Sequence, residues 1–544
     1  MRVAFRSAAL CVAAIVLAAT GCGSGSSSNN PFSSFPLATV PLVKLSTDTF
    51  TNPTSQHATE VEPDSFAFGS TIVAAFQVGR ISGGGASDIG FAISTDAGAT
   101  WKNGFLPGLT TLQSGGMNAA VSDASVIYDA AHGIWIISSL TIASGGATQV
   151  VVNTSPDGIN WGNPIAVSKS PDPDKDWITC DNTITSPFYG HCYVEWDDVA
   201  QSGLVWMSTS TDGGQTWAPA LNPGNSVNAG GLGGIPLVQP NGTVVVPMLE
   251  PFVSEIEAFT SSDGGASWSL PVQVALVNDH QVAGGLRSGA LPSAAMDALG
   301  NVYVVWQDCS FRAGCTSNDL VVSTSADGVS WTAPARIPID TTTSTVDHFI
   351  PGLGIDPTTS GSTAHLGLTY YYYPQTNCAP ASCALYVGFI SSLDGGNTWS
   401  AATPITGPMA LSWLPSTFSG QMVADYVATS FAGGKAYGVF AVAKAKRGST
   451  FDQAIYTTKA GFDVAASQGL FSSVDERPAV AHGDSSRSPT RSYNNRLIRR
   501  LQSRTERPNS SDLAGPESRL FWIQTWNPRV DPIFEPPSQG SRNR

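Results

Sequence analysis

Helical periodicity is missing from this chain of 544 residues over any long window, which argues against a helical bundle and leaves short β-runs to account for the apolar segments. Charge is scarce, with Asp, Glu, Lys and Arg making up 12% of the residues. There is no Gly-rich phosphate loop, no Gly-x-Ser-x-Gly elbow and no His-Glu-x-x-His, so nucleotide, serine-hydrolase and zincin chemistry lose their usual signatures. No Cys-x-x-Cys pair occurs and histidines do not cluster near the cysteines, which disfavours structural zinc. Arginine is rare in the body, where residues 23–463 hold only Arg80, Arg287, Arg312, Arg336 and Arg447. Lysine is absent from residues 464–544.

What is there begins with the two ends. Arg2 and Arg6 precede an apolar run from Ala8 to Ala19 that is too short to span a bilayer. Residues 1–21 therefore read as a signal peptide, and Ala19-Thr20-Gly21-Cys22 resembles a bacterial lipobox. Cys22 is the expected lipidation site, and residues 22–37 open with a Gly, Ser and Asn stretch suited to a flexible tether. The expected location is an exported lipoprotein anchored at the bacterial cell surface or in the periplasm, touching the membrane only through that lipid. Cys180, Cys192, Cys309, Cys315, Cys378 and Cys383 fall into three near-neighbour pairs, as local disulfides of an oxidising compartment would. At the other end, residues 463–544 read as a disordered Arg-rich tail, with 12 of the 19 arginines. The whole chain carries −14 and the body between signal and tail about −20. An acidic body of this kind excludes nucleic acid as a partner and favours a soluble monomer.

Between the ends one turn recurs six times, roughly 50 to 70 residues apart. Full-length copies start at Ser94, Ser210, Ser261 and Ser392 and end at Trp101, Trp217, Trp268 and Trp399; shorter ones run from Ser155 to Trp161 and from Ser325 to Trp331. The pattern is Ser-x-Asp-x-Gly-x-Thr/Ser-Trp. An Asp carboxylate can hold a tight turn by accepting nearby amides, Gly allows positive φ, and Trp pins the turn on a neighbouring strand. Asp96, Asp157, Asp212, Asp263, Asp327 and Asp394 are thus assigned a structural role.

The motif resembles the Asp box, or bacterial neuraminidase repeat, of sialidases and related β-propellers. Residues 38–462 are accordingly expected to form an all-β, Asp-box β-propeller, each blade a four-stranded antiparallel unit. Innermost strands are predicted to begin near residues 62, 119, 177, 231, 288, 349 and 422. Seven blades are favoured, and six is the alternative that the sialidase resemblance implies. The seventh unit lacks an outer strand, which residues 38–46 are expected to supply so that no sheet edge is left open.

With the turns on one rim, the opposite face is predicted to gather Asp64, Arg80, Asp176, Asp197, Asp198, Glu250, Arg287, Asp308, Arg312, Asp347, His348, Asp425 and Arg447. Arg336 is expected at the surface. The resemblance implies a three-arginine grip on a carboxylate, a Tyr nucleophile with Glu, and an Asp acid/base, an exception among glycosidases. Arg80, Arg287 and Arg312 are the candidate grip, with Glu250 and Asp308 as the acid residues. The Phe/Tyr-Arg-Ile-Pro of sialidases has no counterpart in the first blade; the one Arg-Ile-Pro, Arg336 to Pro338, stands in the fifth. The stretches Asp174-Lys175-Asp176-Trp177, Ser186 to Gly190, Asp347-His348-Phe349 and Ala424-Asp425-Tyr426 resemble exported bacterial proteins described as sialidase-like. The expected function is binding of an extracellular glycan or surface polymer, with exo-α-sialidase, or another glycoside hydrolase, as the alternative. No cofactor is required; Asp172, Asp174 and Asp176 alternate in a way that suits Ca²⁺, without the EF-hand Gly or Glu. In Tyr370 to Tyr373, strand alternation is expected to bury two of four rings.

Overall fold

The computed structural model describes residues 32, 35–113, 115–143, 148–224, 229–252 and 254–465. The signal, Cys22 and nearly all of the Arg-rich tail lie outside the described residues.

The fold is all-β, with four single-turn 3₁₀ helices as its helical content among the described residues. The strands can be taken as seven consecutive antiparallel groups, called sheets below; the first, second and seventh are joined into one 13-stranded sheet through Ala86 with Val121 and Thr59 with Gln453, and Ser416–Thr417 with Gly420–Gln421 forms a separate two-stranded ribbon. The first sheet is Gln56–Phe68, Thr71–Arg80, Ala86–Ser94 and Lys102–Phe105. The second is Ala120–Asp129, Ile134–Ile142, Thr148–Ser155 and Ile165–Ser170. Pro173–Cys180, Cys192–Asp198 and Leu204–Ser210 make the third. Leu237–Val238, Val244–Glu250, Glu255–Ser261 and Val272–Leu276 make the fourth. The fifth is Ser293–Met296, Val302–Asp308, Asp319–Ser325 and Ala335–Arg336. The sixth is Asp347–Ile355, Leu366–Tyr373, Ala384–Ser392 and Thr403–Ala410. The seventh is Ala428–Ala432, Lys435–Ala443 and Gln453–Thr458.

The first strands begin within about six residues of the predicted positions. In the fifth sheet the outer strand is short, Ala335–Arg336, and follows Pro334, which has no N–H to give a ladder. The first strand of each sheet lies against that of the next, and the seventh against the first. Hydrophobic layers fill the spaces between consecutive sheets. One packs Val73, Ile89 and Phe91 of the first sheet on Val126, Trp135 and Val151 of the second. The largest joins the sixth, seventh and first sheets through Phe389, Phe440 and Phe76. Because each inner sheet is covered on both faces, its strands bury both sides. This is why Tyr370, Tyr371 and Tyr373 are all buried, one more than alternation alone predicts, while Tyr372 stacks on Tyr386 at 5.2 Å.

The missing outer strand of the seventh sheet comes from the N-terminal side: Leu42–Lys44 pairs antiparallel with Gln453–Thr458. Ala38–Thr39 adds instead to the outer edge of the sixth sheet. The three cysteine pairs are disulfides, Cys180–Cys192, Cys309–Cys315 and Cys378–Cys383.

Each of the six recurring turns leaves the third strand of its sheet, and their chemistry is local. Asp96 Oδ1 accepts from the Thr100 amide at 2.8 Å and Oδ2 from the Thr100 hydroxyl at 2.6 Å. Asp212 with Thr216 and Asp394 with Thr398 repeat this pair of bonds. These bonds pull Asp96, Asp157 and Asp327 down to about 2. Gly98, Gly158, Gly214, Gly265, Gly328 and Gly396 all have positive φ, as the turn demands.

Candidate functional site

At the end of the first strands away from these turns, charged side chains from the first, second and third sheets meet two from the segments that lead into the fifth and seventh. Lys175, from the third sheet, places Nζ 3.1 Å from Glu62 Oε1 of the first sheet and 2.6 Å from Asp425 Oδ2 beside the seventh. Arg287, on the segment leading into the fifth sheet, grips Asp425 with two nitrogens, Nε at 2.8 Å and Nη2. Gln77 donates to Glu62, and Asp123 of the second sheet accepts the Lys175 amide at 3.0 Å. Tyr426 reaches across to accept from the Ala124 amide at 3.2 Å and meets the Trp177 ring edge-on at 5.2 Å. The Lys175 ammonium lies 5.5 Å from the centre of the Tyr426 ring.

Local backbone irregularities aim these groups. Glu62, Asp123 and Lys175 all have positive φ, and the ladder shifts register around each of them. Such bulges turn a side chain out of the regular alternation. The charges are buried: Lys175, Glu62, Arg287 and Asp425 are each under a tenth exposed. Burial opposes the ionised Asp425 carboxylate, but Arg287 and Lys175 outweigh it and hold Asp425 far below the usual carboxylate range. Burial likewise opposes the Lys175 ammonium, and Asp425 and Glu62 outweigh it, so Lys175 is raised well above its ordinary value. Glu62 is pushed up to about 7 by burial, with Lys175 restraining the rise.

Acceptors outnumber donors around this cluster. Asp174 and Asp197 face each other across two strands of the third sheet. Asp176 and Glu195 are buried with no hydrogen-bond partner on either oxygen. Burial, with neighbouring carboxylates adding to it, raises Asp176, Glu195 and Asp197 well above the carboxylate range.

The predicted site residues are only partly brought together. Arg80 and Arg287 are close enough for each to feel the other's charge. Arg80 spends Nε on Met422 Sδ and Nη1 on the Ile81 and Gly85 carbonyls. Arg312 does not join them. The loop closed by Cys309–Cys315 turns it inward, where its five N–H groups go to Asp319, Asp340, Thr341 O and Ser344 O. Arg336, expected at the surface, is buried in the same network, 2.9 Å from Asp319 and 2.7 Å from Asp340. Those two carboxylates supply the compensation a buried guanidinium needs. The expected three-arginine grip is therefore not assembled.

Glu250 lies opposite Glu255 at the end of the fourth sheet, outside the cluster. Asp308 accepts from the amides of Asn278 and Ser310, holding the loop that leads to Arg287. Asp64 ties the first sheet to the second through Ser125 and Val126. Asp198 caps the turn at Gln201, and Asp347 receives the Asn318 amide. Arg447 is exposed.

Asp172, Asp174 and Asp176 do not form a three-carboxylate set either. The register shift between Asp174 and Trp177 breaks the alternation that would place them on one side. Among the described residues, three-ligand sets within 4.8 Å are Asp129 with Cys180 and Cys192, and Asp319 with Asp340 and His348. The first is occupied by a disulfide and the second by two arginines.

Sequence reasoning missed Glu62, Asp123 and Gln77. One signal was readable: Glu60, Glu62 and Asp64 are charged residues in a strand otherwise fit for burial.

No family model matches the chain. Solved structures similar to it include a Dyadobacter fermentans protein of unknown function, at 14% identity over 65% of this chain and 99% of that one, with a TM-score of 0.41. The NanB sialidase from Streptococcus pneumoniae is similar at 14% identity over 79% of this chain and 72% of that one, TM-score 0.39. The intramolecular trans-sialidase from Ruminococcus gnavus is similar at 13% identity over 74% and 92%, TM-score 0.36. Likenesses this distant carry no argument about fold or reaction, and the functional reading rests on the geometry above.

Proposed function

We propose that the chain is an exported, Cys22-anchored, seven-bladed Asp-box propeller of the sialidase-like kind that binds an extracellular glycan or surface polymer on the face opposite the turns. The cyclic order of first-strand contacts supports the ring. So does the meeting of Glu62, Lys175, Arg287 and Asp425, since side chains from non-adjacent sheets reach one another only around a common centre. Three disulfides suit an oxidising compartment.

The observation that carries binding over sialoside hydrolysis is that Lys175, Arg287 and Arg312 are already paired with carboxylates, which leaves Arg80, held by Met422 and two carbonyls, and Arg287 Nη1 as the cationic donors without a carboxylate. Arg287 and Lys175 hold Asp425 and Glu62, and Arg312 has no donor left. An anionic sugar would have to displace buried carboxylates from their partners, a costly exchange in low dielectric. The occupant of this face is a neutral or amine-bearing ligand. No cofactor takes part.

One observation favours exo-α-sialidase as the second reading: Tyr426, Glu62, Arg80 and Arg287 share one region. Against it, burial and the charges of Asp123 and Glu62 push the Tyr426 phenol well above its ordinary value, which opposes a phenolate nucleophile. The test is a glycan array and a fluorogenic sialoside assay on the mature chain. Glycan retention without turnover is expected. Turnover that disappears in Arg287→Ala would reverse the assignment.

A further inference from the structure

A second site lies on the turn side of the fifth sheet. Tyr303 and Trp331 line an open depression of about 400 Å³ together with Asn301, Thr324, Ser330 and Thr332. It is at the opposite end of the third strand from Asp319 and the Arg312 network. Its volume falls in the range of small-molecule sites, about 300–1,000 Å³.

The six turns differ here in an informative way. Trp101, Trp161, Trp217 and Trp399 each donate the indole N–H to the glycine carbonyl of their own turn, at 3.0–3.2 Å. Trp268 and Trp331 leave it without a partner. Trp268 is instead sealed in the core, 4% exposed, with Tyr193 and Phe259 edge-on against it. Trp331 is only half-buried, and no aromatic ring among the described residues packs on it. Part of its ring packs against the apolar core between the fourth and fifth sheets, and the remainder borders the depression.

The polar lining is uncharged. Asn301 gives its amide hydrogens to Asp297 at 2.8–2.9 Å, which leaves its side-chain oxygen as an acceptor. The Thr324 and Thr332 hydroxyls stand 3.4 Å apart, and either can donate. Aromatic rings beside hydroxyl and amide groups, with no ion among them, match a pyranose ring: apolar C–H faces against the π surface and hydroxyls at the edge. The nearest charges are the carboxylates of Asp297 and Asp327, bonded to Asn301 and to the Ser330 amide, so an anionic ligand would meet like charge there.

We propose that this depression is a subsite for one uncharged sugar ring of a glycan, stacked on Trp331 beside Tyr303 and independent of the central charged cluster. The experiment is saturation-transfer NMR with titration of the mature chain by lactose, maltotriose and triacetylchitotriose, with 3′-sialyllactose as the charged counterpart of lactose. At least one neutral sugar is expected to bind. Thr324→Arg, which fills the depression from an accessible strand position, is expected to weaken that binding roughly tenfold with the melting temperature unchanged. Tyr303→Phe, which removes one hydroxyl and keeps the ring, is expected to weaken it severalfold, and it decides the matter if Thr324→Arg fails to fold. Three results would each overturn the proposal: no signal from any neutral sugar, wild-type affinity in the variant that decides, or a preference for 3′-sialyllactose over lactose that is lost in that variant.

Discussion

The two faces of this molecule are held by opposite kinds of interaction. On the turn side, each Asp bonds to groups four residues away or fewer, as Asp96 does with Thr100 and Ser94. On the other side, Lys175 bonds to Glu62 and Asp425, 113 and 250 residues away. The turn carboxylates Asp96 and Asp157 are exposed and acidic, whereas Asp176 and Glu195 beside the cluster are buried and raised, and Asp425 within it is lowered. A local turn loses little when one copy fails, because five others remain. A shared hub ties together residues far apart in the chain, so a single substitution there reaches more than one sheet.

Breaking the hub is the strongest way to test that contrast. Lys175→Met leaves Glu62 unpaired and Asp425 with Arg287 alone, and is expected to cost about 3–5 kcal/mol, measured by denaturant unfolding. Second in size is the pH response of the buried acids. Burial, with Glu250 and Glu255 adding to it, raises Glu257 to about 8. A carboxyl raised in the folded state binds a proton more tightly there than when unfolded. Its stabilising contribution is therefore full below the unfolded value, near 4.5, and is lost as pH rises through about 8. Stability should fall across that window, and Glu257→Gln should flatten the fall by an amount on the order of a few kcal/mol, read from melting curves at stepped pH. A steeper fall in the variant would contradict the assignment. Third, Asp212→Ala removes the two bonds from Thr216, one from the Gln215 amide and one from Ser210, and is expected to cost about 1–2 kcal/mol without altering ligand binding on the far face. The smallest effect is expected from Arg447→Ala: that arginine is exposed and 3.6 Å from Asp452, and the change should stay within about 0.5 kcal/mol.

This same contrast explains what could be read from the chain. The turns were legible because their chemistry sits inside eight residues, and the disulfides because each pair is close in sequence. The N-terminal outer strand was legible from a deficit, since the seventh sheet had too few strands. The hub was half legible. Asp425 and Lys175 stood in stretches already singled out, but nothing local says that Glu62 is their partner. Arg312 and Arg336 were misjudged for one reason. A guanidinium's position follows from where its carboxylates are, and Asp319 and Asp340 lie on different strands and loops of the fifth sheet. The alternation of Asp172, Asp174 and Asp176 did not carry over to one strand side, because a single extra residue at Lys175 redirects the carboxylates on either side.

The pairing of Leu42–Lys44 with Gln453–Thr458 has a consequence for synthesis. The Ile455 amide donates to Ser46 Oγ across 409 residues of chain, so the earlier segment has its mate only after those residues have been made. At about 5–20 residues per second that wait lasts on the order of tens of seconds. Until the two meet, each presents an unpaired strand edge, the kind of edge that invites pairing with other chains.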